Sequence, residues 1–147
     1  MSLLEQLQQD MKTALKNKEK EKLSTIRMVR AAIKRAEIDQ RGSLSEDQVL
    51  DVIVREVKQR KEAIAEYKKA DRQDLVEKEQ AQLAVLESYL PKQLTEEELE
   101  QLIRETIDQL GVTSKKEIGK VMKTVMPKVK GKADGKVVNQ IAQKLLN

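Results

Sequence analysis

Hydrophobic residues recur along most of this sequence at intervals of three and four positions, with charged residues between them. This spacing places apolar side chains on one face of an α-helix and charged side chains on the opposite face. The sequence shows no strand-like alternation, no internal repeat and no low-complexity tract. The pattern therefore predicts an all-α, multihelical fold.

Helix start and stop signals divide the first part of the chain into four predicted helices. Capping boxes begin at Ser2 and Ser45, where a Ser side chain and a Glu or Gln three residues later satisfy free amide groups. Gly42 is expected to stop the second helix, and Pro91 the fourth, because a residue before proline disfavours the helical region. Short polar turns between the helices predict an antiparallel four-helix bundle over residues 1–92. The predicted helices cover residues 3–15, 19–40, 46–70 and 75–90.

Three further helices are predicted within residues 95–147 by signals of the same kind. We therefore expect a small three-helix domain. A domain of this size can fold alone, although its stability is marginal. A basic loop at 128–132 separates its last two helices. The signals, in chain order, are capping boxes at Thr95 and Ser114, a stop at Gly111 and a helix cap at Asp134.

The composition excludes several kinds of chemistry. The 147 residues include no Cys and no His, and the only aromatic side chains are two Tyr. Without Cys there is no disulfide, thiol nucleophile or zinc–thiolate site. Without His the usual general base and the commonest transition-metal ligand are missing. We therefore expect no metal, no small-molecule cofactor and no catalysis by this chain alone.

The sequence also bears on compartment and on stacking against nucleic-acid bases. No apolar run approaches the roughly 18 residues of a membrane span, and the N-terminus lacks the pattern of a secretory signal. From this we expect a cytoplasmic protein without a membrane partner. Two aromatic rings are too few to recognise single strands by base stacking.

The net charge of +4 conceals an uneven distribution. Residues 71–110 hold four basic and eleven acidic side chains, whereas residues 111–147 hold nine Lys and two acidic residues, a net of +7. A basic tail of this kind is typical of proteins that bind a phosphate backbone. It is also typical of a solvated surface that maintains solubility, and the acidic segment offers an intramolecular partner. Charge alone leaves these alternatives open.

Two short segments are candidate phosphate contacts. Arg27, Arg30 and Lys34 share one face of the second predicted helix, and arginine suits bidentate phosphate contact. The alternative is a helix exterior whose long side chains cover apolar surface. The other segment, 130–139, places two glycines and three lysines around a predicted helix N-terminus, which attracts anions. The alternative there is a tight turn that requires glycine, with Asp134 capping the same amides.

The segments 119–123 and 130–139 resemble the tail domain of the B subunit of tRNA-dependent amidotransferases (GatB). The whole chain, including residues 25–34 and 86–91, is similar to the free-standing YqeY family. The resemblance implies two helical bundles, of four helices and then three. The sequence departs from the amidotransferase pattern at two places. It has additional residues between 119 and 131, and it has Gly135 where the amidotransferase tail often has proline.

The resemblance implies contact with tRNA, because the tail domain contacts tRNA while amide transfer occurs on other domains and subunits. The family is also labelled a carbon–nitrogen ligase with glutamine as amide donor. That label would derive from the domain that the family shares with the amidotransferase. No residues that could carry that reaction are present. We expect a non-catalytic module that recognises tRNA or another structured RNA by shape and phosphates.

The alternative function is an accessory module that docks on an amidotransferase or a related tRNA-modifying complex. The candidate RNA-binding residues fall in the tail and in the second helix. They are Lys123, Lys128, Lys130, Gly131, Lys132, Gly135, Lys136 and Asn139, together with Arg27, Arg30 and Lys34.

Overall fold

The computed structural model describes residues 1–146. Within them the fold consists of seven α-helices and two 3₁₀ turns, with no β-strand, which confirms the all-α prediction. One 3₁₀ turn (Lys115–Glu117) precedes the sixth helix and the other (Met126–Lys128) follows it. The helices are α1 (Leu3–Lys16), α2 (Lys20–Gln40), α3 (Glu46–Lys69), α4 (Gln73–Glu87), α5 (Glu96–Leu110), α6 (Ile118–Val125) and α7 (Gly135–Leu145).

The chain divides into two compact units, each with a hydrophobic core of its own. Unit 1 (Met1–Leu90) contains α1 to α4, and unit 2, from Pro91 onward, contains α5 to α7. Burial of aliphatic side chains is the main driving force for folding each unit. The fully buried core residues of unit 1 include Leu7, Ile26, Val29, Val49, Ile53, Val76 and Leu86. Those of unit 2 include Ile103, Val121, Val125, Val129 and Val138.

The helix starts combine local and distant partners. At α3, Ser45 Oγ accepts from the Gln48 N–H at 3.2 Å and Gln48 Oε1 accepts from the Ser45 N–H at 2.9 Å, so this capping box is complete. At α1, Ser2 caps the first turn, but the Leu3 N–H donates to Glu46 Oε1 of α3 at 2.8 Å. The first turn of α1 is therefore capped partly by another helix.

The segment after Ser114 differs from the prediction. Ser114 Oγ accepts from the Lys116 N–H at 3.2 Å, two residues on, instead of forming a capping box with Glu117. A 3₁₀ turn results, and α6 begins only at Ile118.

Four helices end in a left-handed residue, and three of these residues are not glycine. At the end of α2 the Gly42 N–H donates to the Glu37 carbonyl, and the Arg41 N–H to that of Ile38. Arg41, with φ of 60°, takes the left-handed position that the sequence pattern assigned to Gly42. This pair of bonds satisfies carbonyls left free at the helix end. The residues in this conformation at the ends of α1, α2, α3 and α5 are Lys18, Arg41, Asp71 and Gly111.

Two glycines of unit 2 provide a matched test of this backbone conformation. Gly111→Ala is expected to lower the free energy of unfolding by about 1 kcal/mol, because a side chain is strained at φ of +66°. Gly119→Ala is expected to raise it by about 0.5–1 kcal/mol, since Gly119 lies in α6 with no atom within 4 Å of an added Cβ. Urea unfolding followed by circular dichroism measures both, and shifts of the same sign would contradict this account.

Candidate nucleic-acid interface

The loop between α6 and α7 is held by hydrogen bonds within unit 2. Val129 at its centre is fully buried. The Gly131 carbonyl accepts from Gln93 Nε2 at 2.6 Å, and the Lys132 carbonyl accepts from the Leu94 N–H at 3.0 Å. Because both carbonyls bond the segment before α5, the loop presents its lysines from a fixed backbone.

The two glycines of this loop have local roles in the fold. Gly131 is buried and has a φ of +73°, a conformation that a glycine adopts without strain. Gly135 is half-buried, and a Cβ added there would lie 3.2 Å from Met126 Cε. A tight turn thus accounts for Gly131, and the end of the Met126 side chain limits the room at Gly135, while contact of both glycines with RNA stays a prediction.

The N-terminus of α7 already has a negatively charged cap. Asp134 Oδ1 accepts from the Lys136 N–H at 3.0 Å. A carboxylate at this position satisfies a free amide and interacts favourably with the helix dipole. An incoming phosphate would have to displace Asp134 from this amide, so the lysine side chains are the better candidates for phosphate contact.

Most lysines around α6 and α7 are exposed and form no ion pair within the described residues. Lys130 is half-buried and interacts with another group of the chain. Within residues 111–146, none of the other lysines forms an ion pair with a described carboxylate, although Glu117 and Asp134 belong to the same segment. Asn139 lies half-buried on α7, three residues after Lys136. The exposed lysines Lys123, Lys128, Lys132 and Lys136 are called the lysine surface below.

Helix α5 of the same unit has the opposite charge. It contains six acidic residues and a single basic one, Arg104. Arg104 Nη2 pairs with Glu100 Oε1 at 2.8 Å within the helix. Apart from Lys130, no lysine of residues 111–146 forms an ion pair with an α5 carboxylate in the described part of unit 2. For these other lysines, the attraction considered between the acidic and basic segments is therefore not a direct ion pair.

The predicted residues of α2 belong to unit 1. Arg27, Arg30 and Lys34 are all exposed. Arg30 lies against α1, with its Nη1 2.9 Å from Met11 Sδ. Arg27 and Lys34 form no ion pair with the described residues of the chain. The structure thus places the predicted residues on two units.

A buried polar cluster at Arg60 has no counterpart in the sequence predictions. Arg60 Nη1 lies 3.2 Å from Glu56 Oε1, and its Nε lies 3.8 Å from Glu79 Oε2 and 3.3 Å from Gln82 Oε1. Arg60 and Glu56 are each only 8% exposed. The sequence did offer one signal that Arg60 is buried. Position 60 lies between Val57 and Ile64 on the hydrophobic stripe of α3. The cluster joins α3 to α4 and is structural.

Tyr89 makes a second buried contact in unit 1. Its hydroxyl donates to Asp10 Oδ2 of α1 at 2.6 Å. Burial, together with the hydrogen bond to Asp10, raises the pKa of Tyr89 above its ordinary value. Since a tyrosine hydroxyl is already protonated at neutral pH, the raised pKa extends its role as a donor to more alkaline pH. The sequence pattern placed Tyr89 in the fourth helix, whereas α4 ends at Glu87 and Tyr89 lies in the turn that follows.

The described residues hold no group of three or more acidic side chains arranged to bind a metal ion. No helix in residues 1–146 is long and apolar enough to cross a membrane.

Comparison with known proteins defines the class of this all-helical chain. Residues 4–146 match the family model described as Yqey-like protein. The chain belongs to the YqeY family, as the resemblance predicted. It is 35% identical over 147 aligned residues to "Altered inheritance of mitochondria protein 41, mitochondrial" of Pyrenophora tritici-repentis. The alignment covers 98% of this chain and 81% of that protein.

Proteins of the same name in two yeasts are also similar. The Kluyveromyces lactis protein is 43% identical over 84 residues, covering 56% of this chain and 45% of that protein. The Saccharomyces cerevisiae protein (strain YJM789) is 32% identical over 133 residues, covering 90% and 63% respectively. The chain thus spans about half to two thirds of the length of these yeast relatives.

The mitochondrial names of these relatives contradict the expected cytoplasmic location. That expectation depended on the lack of a secretory signal and of a membrane-length apolar run. Neither property reports on mitochondrial import, because transit peptides are amphipathic, Arg-rich segments without a long apolar core.

Proposed function

We propose that this YqeY-family protein is a non-catalytic module that binds tRNA or another structured RNA through the lysine surface of unit 2. The observation that carries the proposal is the exposure of Lys123, Lys128, Lys132 and Lys136 without acidic partners. Lysines that only maintain solubility are commonly interspersed with acidic residues. Here the acidic residues are concentrated on a different helix, α5.

The expected mode of recognition is contact with phosphates. Lys is a flexible point charge with three donors and suits phosphate oxygens without reading bases. Folded RNA presents closely spaced phosphates on a surface whose shape a rigid protein can match. In the loop between α6 and α7, hydrogen bonds to the carbonyls of Gly131 and Lys132 fix the backbone from which the flexible side chain of Lys132 projects.

Neutralising three lysines tests this function. We expect Lys128→Gln/Lys132→Gln/Lys136→Gln to weaken binding to unfractionated tRNA by about 10- to 100-fold at low salt, because each lysine lost removes a phosphate contact. The slope of log affinity against log salt is expected to fall by about one for each lysine. Filter binding at several salt concentrations measures both quantities.

The matched control is Lys58→Gln/Lys61→Gln/Lys68→Gln, which removes three exposed charges from α3 of unit 1. It is expected to change affinity far less. Equal weakening by the two triple variants would indicate a general charge effect and contradict the assignment to the lysine surface. Failure of the natural protein to bind tRNA at low salt would contradict the proposed RNA-binding function. Release of ammonia from glutamine by the purified chain would overturn the non-catalytic assignment.

A further inference from the structure

Helix α2 differs in charge from the other helices of unit 1. Its 21 residues contain six basic and three acidic side chains, a net of +3. Helices α1 and α3 have equal numbers of acidic and basic side chains, and α4 carries a net charge of −3. Positive charge in the helices of this unit is therefore concentrated on α2.

Four exposed cations of α2 share one side of the helix. Lys20, Arg27 and Lys34 recur every seven residues, which is about 10 Å along a helix with little rotation about its axis. Arg30 lies beside this line, between Arg27 and Lys34, because positions three and four apart are neighbours on a helix. All four side chains are exposed. These four residues are called the α2 stripe.

The acidic residues of α2 form no ion pair with the stripe. Glu37 lies three residues after Lys34, at the C-terminal end of the stripe, whereas Glu21 and Asp39 lie off its line. No stripe residue forms an ion pair with a carboxylate in the described part of the chain. On α3, by contrast, acidic and basic residues are interspersed and Lys69 pairs with Glu66 at 3.6 Å. A surface of predominantly positive side chains without ion-pair partners is the electrostatic pattern of a polyanion-binding face.

The stripe also differs chemically from the lysine surface of unit 2. Two of its four cations are arginines, whereas residues 111–147 contain lysine as their only basic residue. The planar guanidinium group forms two parallel hydrogen bonds to a phosphate and retains its charge throughout the physiological pH range. Arg30 is partly positioned by its contact with Met11 Sδ at 2.9 Å, which restricts the side chain before a ligand arrives.

We propose that the α2 stripe is a second phosphate-binding surface, which contacts the same structured RNA as the lysine surface. The proposal rests on the proposed function in assigning RNA as the ligand. Two separate surfaces on one chain bind a long ligand more tightly than either surface alone, because the second contact becomes intramolecular. RNA binding then depends on both units.

The test compares four forms of the full chain: the natural protein, Arg27→Gln/Lys34→Gln, the triple lysine-surface variant and their combination. We expect the α2 variant to bind unfractionated tRNA about tenfold more weakly at low salt, with a salt slope lower by nearly two. The combined variant is expected to lose most of the remaining affinity. Lys58→Gln/Lys61→Gln on α3 of the same unit is the matched control, and circular dichroism verifies folding.

The outcomes separate this inference from the proposed function. If the α2 variant binds tRNA as tightly as the α3 control, the inference is overturned, whatever the lysine-surface variant shows. If the α2 variant loses affinity and the lysine-surface variant does not, the stripe is supported and the function proposed for unit 2 fails. Unchanged tRNA binding with loss of binding to vesicles of anionic phospholipid would assign the stripe to a membrane surface, and would overturn the inference.

Discussion

Arg60→Ala is expected to lower the free energy of unfolding by about 3–5 kcal/mol, because it leaves the buried carboxylate of Glu56 and the half-buried one of Glu79 without their cation. Arg60 is 8% exposed and lies within 4 Å of both Glu56 and Glu79. Burying an unpaired charge costs more than the pair contributes when it is intact. Urea unfolding monitored by circular dichroism gives the change directly.

Two further variants show whether charge or packing causes the loss. Arg55→Ala removes an exposed arginine from the same helix, and is expected to change stability by less than about 0.5 kcal/mol. Arg60→Met/Glu56→Met replaces the closest pair by apolar side chains and is expected to recover much of the stability, because the unpaired carboxylate nearest Arg60 is removed as well. A cost for Arg60→Ala as small as that for Arg55→Ala would refute a stabilising role for the cluster.

Ile103→Ala is expected to unfold unit 2 while unit 1 stays folded. Ile103 is fully buried in the core of unit 2, and truncating a buried isoleucine to alanine costs about 2–5 kcal/mol. A unit of this size buries a small core, so such a loss is comparable to its whole stability. Hydrogen exchange resolved along the chain should show lost protection in α5 to α7 and retained protection in α1 to α4.

Leu110→Ala is the control on the same helix, because Leu110 is 41% exposed. It is expected to cost much less than Ile103→Ala and to leave unit 2 folded. Simultaneous loss of protection in both units after Ile103→Ala would show that they fold as one cooperative body, against the independence that their separate cores indicate.

Much of the helical architecture was predictable because it depends on local signals. The starts of α3 and α5 follow directly after Ser45 and Thr95, whose side chains accept from amides in the first turn. Hydrophobic spacing at three and four positions likewise predicted an apolar face on each helix, and Ile53 in α3 and Ile103 in α5 are buried on such faces. The ends of helices were less predictable, since Arg41 adopts a left-handed conformation that glycine usually signals.

The candidate interface was partly predictable for a similar reason. The sequence identifies the lysines and their scarcity of acidic neighbours, and the structure confirms that Lys128, Lys132 and Lys136 are exposed. The positions of Gly131 and Lys130 were not predictable. The first depends on a hydrogen bond from Gln93, 38 residues away in the sequence, and the second is half-buried and interacts with another group of the folded chain.

By itself, the sequence determined that this protein is helical, that it lacks the side chains for His- or Cys-based chemistry, and that its positive charge is concentrated after residue 110. These properties follow from composition and from interactions between residues three or four positions apart. Only the tertiary structure decided that Glu46 caps α1 and that Arg60 lies among the carboxylates of two helices. It also showed that the tail lysines other than Lys130 lack acidic partners in the described residues. The contacts of Glu46 with Leu3 and of Arg60 with Glu79 join positions far apart in the sequence, so they exist only once the helices pack.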